Sequence, residues 1–233
     1  MTHVKICGFQ TAEPILAAAA AGVDAIGLVF VPAARRSMSL DQADAVLREV
    51  RGRAGADMPQ VVGLFADQPV EIVNEVTLKL GLNAVQLCGG EGVGYCASVS
   101  VPIYKVIGID PKVPISAQMP RIMTLQQRHA LAGHRIVIDT KVSGAYGGTG
   151  QQFDWGIAAD LARAFEITLA GGLGPENIAE AVRQVQPWGV DSSSGVETDG
   201  EKDIAKVQAF VAAVRDSQPK RQRRSLLRLF RRG

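Results

Sequence analysis

Cysteine and histidine are both scarce in this chain, with three of each among 233 residues. Cys7, Cys88 and Cys96 make an odd number with no C-x-x-C pair, and His3, His129 and His134 are the only histidines to accompany them. That count excludes a disulfide framework and the spacing gives no zinc motif, so no metal is expected. Long apolar runs are missing as well. No stretch reaches the roughly 18 residues of a membrane span, and the N-terminus lacks a basic flank leading into a signal-type apolar segment. The chain is therefore expected to be soluble and cytoplasmic.

Acidic residues are absent from 218–233 (QPKRQRRSLLRLFRRG), which holds seven Lys or Arg. Residues 1–217 keep 18 of the 25 basic residues against all 23 acidic ones, so the body carries no footprint for nucleic acid. The tail reads as a disordered, solvated terminus or a short helix. At most SLLRLFRR would lay one or two amphipathic turns weakly on an acidic lipid surface.

What the chain does have is a recurrent pattern. Short, nearly continuous apolar runs alternate with helical patterns, as expected of successive βα units whose strands are covered on both faces. The candidate strands are 3–7, 25–30, 60–65, 84–88, 103–108, 135–139, 167–171 and 190–194. Helix signals stand between them: Thr11 before AEPILAAAAAG with Gly22 as stop, Ser39 before LDQADAVLREV, and Pro175 opening PENIAEAVRQV. Pro111, Pro114 and Pro120 are expected to delay the helix before 135 until about MTLQQRHAL. Eight units in residues 1–217 fit a single-domain α/β fold, a (β/α)8 TIM barrel, with a doubly wound open sheet as the competing architecture.

In either architecture ligands bind at the C-terminal ends of the strands. There the chain places AGGLGPEN, with Gly171 and Gly172, and DSSSG, with Ser193, Ser194 and Gly195. Backbone N–H groups freed by glycine, serine hydroxyls and a helix N-terminus suit a phosphate dianion, and the loops after strands seven and eight are the usual phosphate site of a barrel. Two tight turns would need the same glycines. Asp139 closes an otherwise apolar strand, where desolvation would raise its pKa and make it a proton donor; it could equally be a loop hydrogen-bond acceptor. Cys7 ends the first strand, on the same face as Lys5, and is either an inert buried thiol or a pocket-facing thiolate. Arg36, in PAARRSMS, is a candidate anion or aromatic contact or one of two solvated arginines.

With KICG at the first strand, DTKVSGAYGGTGQQFDW at the sixth, LAGGLGPENI at the seventh and VDSSSGVE at the eighth, the chain resembles the phosphoribosylanthranilate isomerases of tryptophan biosynthesis over about residues 3–215. The resemblance implies a (β/α)8 barrel without cofactor or metal that performs an Amadori rearrangement on a phosphosugar–anthranilate substrate. It implies Cys7 as the base, Asp139 as the acid, Arg36 near the anthranilate, and a phosphate held by Gly171, Gly172, Ser193, Ser194 and Gly195, with Gly147 and Gly148 in the loop above. A thiol at about 8.5 and a carboxyl at about 3.9 would rest in the wrong states for these roles, so the site is expected to lower the first pKa and raise the second.

Two departures stand out. QLCGGE replaces the family's usual QLHGDE, so Cys88 stands for a histidine and Gly90 for an aspartate, and the basic tail lies outside the pattern. The competing functions are the related aminoaldose isomerase of histidine biosynthesis, which uses carboxylates where this chain has Cys7, and a non-catalytic barrel acting through its tail. The sequence does not decide between monomer and homodimer.

Overall fold

A computed structural model describes residues 1–140 and 154–217. Eight parallel strands close into a barrel in chain order: β1 (His3–Cys7), β2 (Ala25–Val29), β3 (Gln60–Phe65), β4 (Ala84–Leu87), β5 (Ile103–Ile109), β6 (Arg135–Thr140), β7 (Ile167–Leu169) and β8 (Gly189–Ser192). Closure pairs the first strand with the last, with Lys5 opposite Asp191 and Ile6 opposite Ser192. An open sheet is thereby excluded. The helices are α1 (Ala12–Ala20), α2 (Leu40–Ala54), α3 (Val70–Leu80), α4 (Val93–Cys96), α5 (Ile115–Leu131), α6 (Trp155–Ala164), α7 (Ile178–Val185) and α8 (Ile204–Ser217). A small antiparallel hairpin, β9 (Glu197–Thr198) and β10 (Glu201–Lys202), sits between β8 and α8. Among the described helices none is long and apolar enough to cross a membrane.

The continuous apolar strands are explained by burial on both faces. One face of the sheet packs on the helices through residues such as Ile6, Ile26, Leu28, Leu87 and Ile138. The inner face is filled by a smaller plug of Ala25, Val62, Ala84, Tyr104, Val137 and Ala170. Above the plug, Cys7, Val29, Val31 and Leu64 form a third apolar group at the strand ends.

Local signals met different fates. Ser39 and Gln42 form a reciprocal capping box, whereas Thr11 makes no side-chain cap bond. Contrary to expectation, α5 begins at Ile115 and carries Pro120 within it. Proline removes one N–H and leaves one carbonyl of the preceding turn unpaired, and packing of Ile122, Gln126 and His129 outweighs that loss. Pro175 does not open α7 either. Residues 175–177 form a turn held by Asn177, whose amide group accepts from the Gly174 N–H at 3.0 Å and donates to the Gly172 carbonyl at 2.8 Å, and the helix starts at Ile178.

Candidate active site

A cavity of about 660 Å³ opens at the C-terminal ends of the strands. Its wall contains Cys7, Arg36, Asp139, Gly171, Gly172, Ser193, Ser194 and Gly195, so the expected site residues converge on one space. Gly147 and Gly148 lie outside the described residues, as does the tail 218–233.

Two close approaches explain glycines of the motifs. Gly8, at φ +81°, lies under the Arg36 side chain, and a Cβ there would come within 2.4 Å of Arg36 Cδ. Gly171, at φ +91°, lets its loop press onto β6: a Cβ would lie 2.8 Å from the Thr140 nitrogen and 2.9 Å from Asp139 Oδ1. The glycines of KICG and AGG thus let Arg36 and Asp139 occupy their places.

The floor of the cavity carries a buried ion pair that sequence reasoning missed. Lys5, only 1% exposed, donates to Asp191 Oδ2 at 2.8 Å. The second carboxylate oxygen, Oδ1, is buried without a hydrogen-bond partner among the described residues. Burial pushes the Asp191 carboxyl up and the Lys5 charge pulls it back. Asp139, on the adjacent wall, is raised to about 7 by burial first and by repulsion from Asp191 second. The shift runs in the direction expected of this carboxyl from the sequence.

Cys7 does not follow the expectation. Its thiol is pushed up, not down, because burial outweighs the cations that favour a thiolate, Lys5 foremost. Lys5 cannot offset the burial because its charge is already paired with Asp191 at close range. Cys88 is likewise buried into the thiol form, pushed up to about 12, and so offers no competing base. Where the resemblance expects an aspartate at position 90, Gly90 donates its N–H to the Asp67 carboxylate at 2.6 Å; Asp67, at φ 57°, lines the cavity.

Arg36 is not a solvated arginine. Glu197 grips it at two points, Nε–Oε1 at 2.6 Å and Nη2–Oε2 at 2.7 Å. The same carboxylate receives Arg35 at 2.6 Å and Lys202 at 2.6 Å; against the upward push of burial, Arg36 and Lys202 bring its pKa down to about 2. Lys202 also donates to the Ser193 carbonyl at 2.9 Å, linking the arginine cluster to the loop after β8. Glu197 and Lys202 went unnoticed in sequence because their partners lie far away in the chain; the Glu of SSGVE was the available signal.

Serine hydroxyls are less available to an anion than the sequence suggested. Ser192 donates to the Leu173 carbonyl at 2.6 Å and Ser193 to the Cys7 carbonyl at 2.9 Å, so both hydroxyls build the wall. Ser194 and Gly195 begin a short 3-10 turn (Ser194–Val196), whose first N–H groups have no partner within the turn. The main-chain N–H groups of this turn, rather than the Ser192 and Ser193 hydroxyls, are therefore what this wall has to offer an anion.

A family profile described as N-(5'phosphoribosyl)anthranilate (PRA) isomerase matches residues 4–213. The curated N-(5'-phosphoribosyl)anthranilate isomerase of Roseiflexus sp. (strain RS-1) is 43% identical over 218 residues, covering 92% of this chain and 98% of the relative. The crystal structure of phosphoribosyl anthranilate isomerase from Thermotoga maritima superposes with a TM-score of 0.79 at 30% identity, covering 93% of this chain and all of that one. A phosphoribosyl anthranilate isomerase structure in complex with reduced 1-(o-carboxyphenylamino)-1-deoxyribulose 5-phosphate superposes with a TM-score of 0.76, also at 30% identity and with the same coverage.

Proposed function

The chain belongs to the N-(5'-phosphoribosyl)anthranilate isomerase family, and from that premise we propose how its own residues divide the labour. The reaction is the isomerisation of N-(5'-phosphoribosyl)anthranilate to 1-(o-carboxyphenylamino)-1-deoxyribulose 5-phosphate in tryptophan biosynthesis. The substrate phosphate lies between the loops after β7 and β8, against Gly171, Gly172, Ser193, Ser194 and Gly195, with Gly147 and Gly148 in the same set. Arg36 presents its outer edge to the anthranilate carboxylate while Glu197 holds the inner edge.

Asp139, protonated below its raised pKa of about 7, gives its proton to the furanose ring oxygen. The C1′–O bond breaks and an iminium forms at C1′. Cys7 as thiolate then removes the C2′ proton, and the electron pair moves to make the enolamine, which tautomerises to the ketone. C1′ is reduced as C2′ is oxidised, so the electron balance closes within the substrate.

Cys7 rests as a thiol and must lose its proton first. It releases that proton to solvent before the substrate reacts, so the reacting form is the minor one in which Asp139 is protonated and Cys7 ionised.

The observation that carries this reading is the meeting of Cys7 and Asp139 in one cavity whose wall includes both candidate phosphate loops. The protein acts in the cytoplasm on a small molecule. Its test is an assay of purified chain with phosphoribosylanthranilate, following loss of anthranilate fluorescence, beside the aminoaldose substrate of histidine biosynthesis. Turnover of the first substrate is expected; turnover of the second alone overturns the reading.

A further inference from the structure

Three residues dispersed in sequence meet on the helix side of the barrel, away from the cavity wall. Cys96 ends α4, His129 lies in the last turn of α5, and His134 follows α5 just before β6. Gly133, at φ +80°, turns the chain back, so that the His134 N–H donates to the His129 carbonyl at 3.0 Å. The two imidazoles then face each other, Nδ1 to Nδ1, at 3.0 Å. One ligand atom from each of the three residues lies within 4.8 Å of the others.

Without a cation the pair is joined by a single hydrogen bond. Two neutral imidazoles cannot point lone pairs at each other, so one ring must carry its proton on Nδ1 and donate. A metal ion would take both lone pairs at once. Burial keeps His129 neutral with a pKa of about 4 and also lowers that of His134, which leaves both in the ligating form. Cys96 and His129 are almost fully buried, at 3% and 2% exposure, while His134 is half-buried and gives access from outside.

We propose that Cys96, His129 and His134 form a binding site for a borderline divalent cation of the Zn²⁺ class, separate from the isomerase cavity. One thiolate and two imidazoles match Zn²⁺ or Co²⁺ and reject Mg²⁺ and Ca²⁺, which require oxygen. Tetrahedral bonds of about 2.0–2.3 Å place ligand atoms roughly 3.3–3.7 Å apart. The cluster therefore has to close by little more than an ångström, and His134, on its turn after Gly133, supplies the movement. The carbonyl end of α5 adds a favourable field for a cation. Lys105 is the neighbouring positive group, but its charge is taken up by Glu91 at 2.5 Å and the Gly89 carbonyl at 2.7 Å. Water fills the fourth position.

The test is titration of the full chain, reduced and metal-free, with Co²⁺ alone. One equivalent is expected to bind, with a thiolate-to-cobalt charge-transfer band and the intense visible bands of four-coordination, and Zn²⁺ should displace it. Cys96→Ser should abolish the charge-transfer band, and Cys88→Ser should keep it. His134→Gln, at a half-buried turn position where folding is not at stake, should weaken binding by at least about tenfold. Isomerase turnover should be the same with and without metal. No binding in the full chain, a charge-transfer band that persists in Cys96→Ser, or one lost in Cys88→Ser, would overturn the proposal.

Discussion

Arg36 and Glu197, 161 residues apart in the chain, form a two-pronged ion pair at the rim of the cavity. The fork leaves the guanidinium only its outer edge for a ligand and fixes the plane in which that edge lies. Glu197→Gln is expected to raise KM about tenfold, with a smaller effect on kcat, by letting Arg36 swing. Arg36→Ala should do the same. Steady-state kinetics that leave KM unchanged in both variants would remove this pair from substrate binding.

The proposed acid and base carry the heaviest penalty. Cys7→Ala and Asp139→Asn should each reduce kcat by at least about a hundredfold, with much smaller changes in KM. Turnover near that of the unmodified protein in either variant would take that residue out of the reaction.

The pH profile should have an inverted assignment. The active form needs Asp139 protonated and Cys7 ionised, yet Asp139 titrates near 7 while the Cys7 thiol is pushed above its ordinary value. Below about 7, Asp139 is already protonated and kcat/KM rises with pH as the thiolate fraction grows. Above it, loss of the Asp139 proton cancels that gain and the profile flattens until Cys7 itself ionises. The acid-side break therefore belongs to the proton donor. Asp139→Asn should abolish the break near 7; its survival there would assign it to another group.

Gly8→Ala tests the packing of KICG. The position has φ +81°, and the added methyl would meet Arg36 Cδ at 2.4 Å. Backbone strain alone should cost roughly 1–3 kcal/mol, read as a lower Tm, and displacement of Arg36 should raise KM in addition. A Tm loss without any change in KM would mean that Arg36 relaxes around the methyl at no functional cost.

Lys5 is a structural necessity of the floor. Lys5→Met leaves the Asp191 carboxylate buried without its counter-ion and should cost about 3–5 kcal/mol. Lys5→Met with Asp191→Asn should recover much of that loss. Denaturant unfolding of the two variants checks this, and equal stability of the single and double variants would contradict it.

Much of this architecture was legible because it depends on local pattern. The eight strands were visible as apolar runs, since strands covered on both faces must be apolar throughout; β2 is buried at every residue. Cys7, Asp139 and the two glycine-containing loops could be placed because each ends a strand, and strand ends share one face of a barrel. The start of α5 was misjudged because three prolines speak locally against a helix while burial of Ile122 and Gln126 decides globally. The Arg36–Glu197 fork, the Lys5–Asp191 pair and the Cys96–His129–His134 cluster were out of reach, since each depends on which distant elements the closed barrel brings together. The state of Cys7 was misjudged for a related reason. Lys5 beside it suggested a lowered pKa, and only the fold shows that Asp191 has already claimed that charge.

Ring closure has a consequence for biosynthesis of the protein itself. Cys7 stands at the end of the first strand, and Ser193, which bonds its carbonyl, stands just past the last, 186 residues later. α8 fastens the seam from outside, with Arg215 donating to the Thr2 carbonyl at 2.6 Å and to Asp24 at 2.9 Å. A nascent chain that has emerged as far as β7 already carries the thiol, the carboxyl and one glycine loop, but nothing yet encloses them. The cavity wall takes Cys7 from one side of the seam and Asp191 to Gly195 from the other, so it is complete only in the closed ring.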